Sequence, residues 1–178
     1  MAGRSPFSSE ARKTAFCGIF AALEMVILYF GGLTVLDLSI LVVCSVITVF
    51  VAIEAGDRTA YVFCAATSVL ALIILPSKLY AIEYILFSAL YPMLKPHFEK
   101  LPKAAAFIVK ILFLDLMLLI CILVGQFVLN VGDEFYSLGV ITMVAGTLFF
   151  AVYDYALTKC IYFYLGVLRK RLKIHKLL

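Results

Sequence analysis

Residues 104–128 read AAAFIVKILFLDLMLLICILVGQFV, and only Lys110 and Asp115 in that stretch carry charge. A helix of this length rises about 37 Å at 1.5 Å per residue. The hydrocarbon layer of a bilayer is about 30 Å thick and needs about 20 apolar residues to cross it. The stretch therefore predicts a membrane-spanning helix.

Further runs of the same kind lie on either side. They predict spans at 14–33, 35–54, 60–75, 79–94 and 138–168, which with 104–128 makes six. Gly31-Gly32, Gly56-Asp57-Arg58 and Pro76 punctuate the first three. Pro92 is expected to kink the fourth, and Pro96 to end it. Spans three and four are short and close together, and predict a tight helical hairpin. The run at 138–168 exceeds one bilayer crossing, so it must tilt or project beyond the membrane.

Composition agrees with this count. The chain of 178 residues is 65% hydrophobic and 15% charged, with a mean hydropathy of +1.13. Soluble domains are about 45–50% apolar and about 25% charged, and a soluble chain of this size has too little interior to hide the excess. Six spans with short loops fill the chain. The expected fold class is therefore all-α: one integral membrane domain over residues 1–178, with a short N-terminal segment at 1–13 and a basic tail at 169–178. The first apolar run is too long for a signal-peptide core and reads as a retained span.

Charge placement sets the expected orientation. Arg4, Arg12, Lys13, Arg58, Lys95, Lys100, Lys103, Arg169, Lys170, Arg171, Lys173 and Lys176 fall on the side of the N-terminus, and only Lys78 falls opposite. Basic residues collect in cytoplasmic loops, so both termini are expected in the cytoplasm of a multi-pass cell-membrane protein. The formal net charge of +4 is spread along a membrane face without a nucleic-acid motif. The lipid surface is its expected partner, and nucleic acid is not. With no tryptophan in the chain, tyrosines near span ends (29, 61, 80, 84, 91, 136, 162 and 164) are expected to form the interfacial belt.

Catalytic signatures are absent: the sequence has no P-loop, GxSxG or HExxH, and no enzyme activity, cofactor or metal is expected. Cys17, Cys44, Cys64, Cys121 and Cys160 lie singly in apolar runs and read as small buried hydrophobes. Ionisable residues inside a bilayer are costly and demand an explanation. Lys110, Asp154 and Lys159 are expected to pair internally or snorkel, and Glu54 to be solvated at an interface. Glu24 and Asp115 fall near mid-membrane, as structural groups or a proton relay. Asp37, Tyr80, Glu83 and Tyr84 cluster at the expected outer side. Residues 80, 83 and 84 share a helix face, which suits a ligand pocket; Asp37 could equally cap its own helix. In span one Ala11, Ala15, Gly18 and Ala22 recur at helical spacing, a packing face for another helix or another protein.

The opening ARKTAFCGIFAALEMVILYF (11–30) and the segment Leu36-Asp37-Leu38-Ser39 resemble the start of energy-coupling factor transporter S components. Leu75-Pro76-Ser77-Lys78-Leu79 and Tyr91-Pro92-Met93-Leu94-Lys95 resemble a branch of six-span Gram-positive membrane proteins related to them. The likeness covers about residues 11–100. It implies a six-helix subunit that binds a vitamin or similar micronutrient near the outer face. A separate transmembrane coupling subunit and cytoplasmic ATPases would drive release, and Ala15, Gly18 and Ala22 match the place where such proteins dock the coupling subunit. The competing expectation is a membrane scaffold or assembly factor that binds other membrane proteins and no small ligand.

Overall fold

The computed structural model describes residues 10–34, 37–127 and 139–168. Helix α1 runs Glu10–Gly31, α2 Asp37–Ala55 and α3 Asp57–Ile74. Helix α4, Lys78–Glu83, passes through a π-helical segment, Tyr84–Leu90, into α5, Tyr91–Phe98. Helix α6 runs Lys103–Phe127, and α7, Gly139–Phe163, ends in a second π segment, Tyr164–Leu168. No strand occurs among the described residues. Four of these helices, α1, α2, α3 and α6, are long and apolar enough to cross a membrane.

Two compact units divide the chain: Met1–Met93 with Leu157–Leu178, and Leu94–Ala156. In the first, α1, α2 and α3 pack on one another, and the first π segment packs on α2 and α3. The seam of α2 explains why. Leu41, Cys44, Thr48, Val51 and Ala55 are buried, and with Asp37 they recur every three or four residues, which is one stripe of a 3.6-residue helix. On α3 the stripe is Ala60, Cys64, Thr67 and Ala71, and on α1 Glu24, Leu28 and Gly31.

Polarity runs opposite to that of a water-soluble bundle. Glu24, Ser45, Thr48, Glu54, Thr67 and Ser88 are buried, whereas Val62 and Ile73 are 69% and 71% exposed, with Ile19, Phe107, Leu112 and Val152 exposed as well. Apolar side chains facing outward around several helices suit lipid as the surrounding solvent.

The turns have local causes. Gly56 alone joins α2 to α3 at φ +89°, a conformation in which a Cβ would be strained. Helix α3 stops before Pro76, and Ser77 opens α4 by accepting a hydrogen bond from the Tyr80 amide at 3.3 Å. The Lys78 ammonium donates to the Leu72 and Leu75 carbonyls at 2.7 and 3.0 Å. Lys78 thus caps the C-terminal end of α3.

Pro96 does not end the fourth helical run, which continues to Phe98. The disturbance lies upstream. In an α-helix the ring of Pro92 would strike the Ser88 carbonyl, four residues back. The chain instead widens over Tyr84–Leu90, and the Tyr91 amide bonds Leu86 five residues back. Side chains brace the widened turns. Ser88 Oγ donates to the Leu41 carbonyl at 2.7 Å, and the Cys64 thiol donates to the Ala89 carbonyl at 3.6 Å.

Candidate functional site: a polar interior in the first unit

Of the four residues expected to form a ligand pocket, Tyr84 is 0% and Tyr80 4% exposed, while Asp37 and Glu83 are half-buried. Tyr80 lies within electrostatic range of both carboxylates, and Glu83 within range of Asp37. These residues surround one end of the α2 seam. A Cβ on Gly31 would stand 2.8 Å from the Tyr80 hydroxyl, so the end of α1 closes over that ring. Glycine at 31 is what allows the tyrosine in.

The polar line continues inward. Cys44 lies near both Tyr80 and Tyr84, and beyond it is Glu24, fully buried. Thr48 donates to Glu24 Oε1 at 3.3 Å. The Tyr84 hydroxyl stands beside the Glu24 carboxylate and beside Thr67, yet it meets hydrogen-bond geometry with neither. The Thr67 hydroxyl is committed to the Phe63 and Cys64 carbonyls, at 3.0 and 3.2 Å. From Asp37 to Thr48 the seam covers about 16 Å of α2 axis. Along it, Glu24 Oε2, Asp37 Oδ1, Tyr80 Oη and Tyr84 Oη are buried without a hydrogen-bond partner. Native interiors leave few such atoms, because each costs about 1–3 kcal/mol.

Sequence reasoning placed Tyr80, Glu83 and Tyr84 on one face, and two of the three turn inward. It did not connect them to Glu24. The available signal was the α2 seam, whose 3.6-residue period threads Asp37, Cys44 and Thr48 past one face of α1. Of the tyrosines expected in an interfacial belt, Tyr29, Tyr61 and Tyr162 are exposed, whereas Tyr80, Tyr84 and Tyr91 are interior; Tyr136 lies outside the described residues.

Glu54 departs from the solvated position expected of it. It is fully buried, and the Tyr164 hydroxyl donates to its Oε1 at 2.7 Å. The Tyr164 ring stands edge-on to Phe50 at 5.1 Å, and Phe50 also meets Phe16 and Phe20. That aromatic cluster shields the carboxylate, and Tyr164 supplies the donor.

The small-residue face of α1 is open. Ala11, Ala15, Gly18 and Ala22 are exposed, and a Cβ on Gly18 would meet nothing within 4 Å. Ala21 turns the other way, with Phe16, Cys17 and Phe20, against the core.

The second unit handles its charges differently. Lys95, 1% exposed, pairs with the Asp154 carboxylate and donates to the Asp154 carbonyl at 3.0 Å. Lys110 reaches Asp154 at 2.8 Å, and Glu99 stands 3.5 and 3.8 Å from the two lysines. Two cations and two anions form one neutral network. Lys110 and Asp154 pair internally, as their depth in the sequence suggested. Lys95, counted as a loop cation, is instead a buried member of the network. Asp115, half-buried, belongs to this unit, and Glu24 to the other.

Comparison with protein-family models, with curated proteins and with solved structures gave no match.

Proposed function

We propose that this chain is a six-span membrane subunit, S component-like, that binds a small molecule and delivers it to a transporter whose coupling subunit and ATPases are separate chains. Both termini lie in the cytoplasm, the chain sits in the cell membrane, and it carries no catalysis of its own. The supporting observation is the set of orphaned interior oxygens on Asp37, Tyr80, Tyr84 and Glu24. A bundle under selection for stability alone would fill these positions with apolar side chains, because an unpaired buried polar group weakens it. A ligand with complementary hydrogen-bonding groups offsets that cost when it binds, and pockets of this kind are mostly apolar with a few placed polar groups. A vitamin-sized micronutrient is the proposed class.

The open α1 face supports the rest of the reading. Ala15, Gly18 and Ala22 let a partner helix approach closely in lipid, and none of the described residues comes within 4 Å of a Cβ built on Gly18. Taken alone, that face also suits a membrane scaffold or assembly factor, which is the second reading. Affinity purification from native membranes in mild detergent separates the two. A transport subunit brings down a membrane coupling subunit and ATPases, and Gly18→Leu abolishes that recovery while the variant itself stays folded. Recovery of unrelated membrane proteins, with no ATPase, supports the scaffold and contradicts the transport subunit.

A further inference from the structure

We infer that the deep end of this interior, at Glu24, binds a monovalent cation, either an alkali ion or the ammonium group of the ligand. The inference rests on reading the first unit as a ligand site, and it assigns the charge of what binds there.

Charge balance carries the point. In the second unit the buried Lys95, together with Lys110, is matched by Asp154 and Glu99. The buried carboxylate of Glu24 in the first unit has no such counterpart among the described residues. Glu24, Asp37 and Glu83 line its interior, and among the described residues no cationic side chain forms an ion pair with any of them. Lys78, close in sequence, has its ammonium directed to the Leu72 and Leu75 carbonyls. A carboxylate enclosed by α1, α2, α3 and the π segment, with one oxygen lacking any partner, has room in its chemistry for a positive charge that the described residues do not supply.

The donor set defines the kind of cation. Glu24 Oε2 and Tyr84 Oη are both fully buried and unpartnered, the Tyr84 hydroxyl stands beside the Glu24 carboxylate, and the Thr48 hydroxyl is bonded to that carboxylate's other oxygen, Oε1. An all-oxygen set with a single carboxylate suits one positive charge. A divalent ion needs more anionic ligands than this end offers, and no group of three His, Cys, Asp or Glu is placed to hold a metal among the described residues.

The test uses the full chain in lipid nanodiscs, titrated with sodium chloride, potassium chloride or methylammonium chloride. N-methylglucamine chloride holds ionic strength constant, and the thermal unfolding midpoint is followed. A ligand that binds only the folded state raises that midpoint saturably. We expect at least one probe to do so. Glu24→Gln and Thr48→Val, the latter keeping the carboxylate in place, should each weaken the fitted Kd at least tenfold, and Glu83→Gln less than threefold. A response to sodium or potassium alone identifies an inorganic ion, and a response to methylammonium alone identifies the ligand's own ammonium. No saturable shift with any probe overturns the inference and means that a proton alone neutralises Glu24. A shift that Glu24→Gln and Thr48→Val leave intact while Glu83→Gln removes it overturns the inference too, but leaves the ligand site standing at the Asp37 end.

Discussion

The Tyr84 hydroxyl is enclosed by protein and bonded to nothing, so removing it separates binding from stability. In ligand-free protein, Tyr84→Phe deletes an unsatisfied polar atom and keeps the ring. Its unfolding free energy should be unchanged or higher, by up to about 2 kcal/mol, in a denaturant titration of the detergent-solubilised protein. A drop of that size would mean that the hydroxyl has a structural partner. Lys95 behaves in the opposite way. It pairs with Asp154 from inside the protein, and Lys95→Met removes one of the two lysines that meet Asp154 and Glu99. Breaking a buried pair by removing one member costs about 3–5 kcal/mol, so that variant should unfold at markedly lower denaturant, with Lys95→Met/Asp154→Leu recovering much of the loss. Neither behaviour was legible in composition. Lys95 opens the segment KPHFEKLPK, which reads as a loop because Pro96 is expected to end the preceding span. Helix carried on past Pro96 is what takes its side chain inside.

Proline gives the clearest case of a local signal with a non-local outcome. Helix existence was legible throughout, because a long apolar run has few alternatives in lipid. Boundaries shifted by a few residues, and one internal feature was not foreseen: the π segment Tyr84–Leu90, just before the proline expected to kink this run. The difference lies in partners that sequence spacing does not pair, Ser88 with the Leu41 carbonyl and Cys64 with the Ala89 carbonyl. Replacing Pro92 by Ala restores a backbone donor and, on helix propensity alone, would be worth about 3 kcal/mol. We predict a net loss instead. Returning the segment to α geometry turns Ser88 and Tyr84 out of register with α2 and leaves buried polar groups unpaired, at about 1–3 kcal/mol. Chemical denaturation measures the sign, and a Pro92→Ala variant more stable than the parent would show that the π segment is incidental. On α1 the spacing identifies a face, and its role as a packing surface is part of the proposal. Its four small residues share one stripe by spacing alone, and they stand exposed along the helix.

Six crossings with both termini in the cytoplasm are an expectation from charge asymmetry, and the segments that bear most on it, 128–138 and 169–178, lie outside the described residues. Single cysteines in a background without the five native ones test it. Position 100 should label from the cytoplasmic side and position 133 from the outside with a membrane-impermeant maleimide; the reverse pattern would invert the orientation and place the Asp37 end of the interior toward the cytoplasm. The ligand itself is the sharper question. Native mass spectrometry of protein extracted in mild detergent, compared among the parent, Glu83→Gln, Tyr84→Phe and Asp57→Asn, addresses it directly. Asp57 is exposed in the first turn of α3 and serves as the control, because Glu54 is itself buried and bonded. The parent and Asp57→Asn should carry the same bound small molecule. In Glu83→Gln and Tyr84→Phe its occupancy should fall as expected for binding weakened about ten- to a hundredfold, the equivalent of one lost hydrogen bond to a charged or buried group. Bare protein in every preparation, or equal occupancy in all four, would contradict a ligand site in this interior.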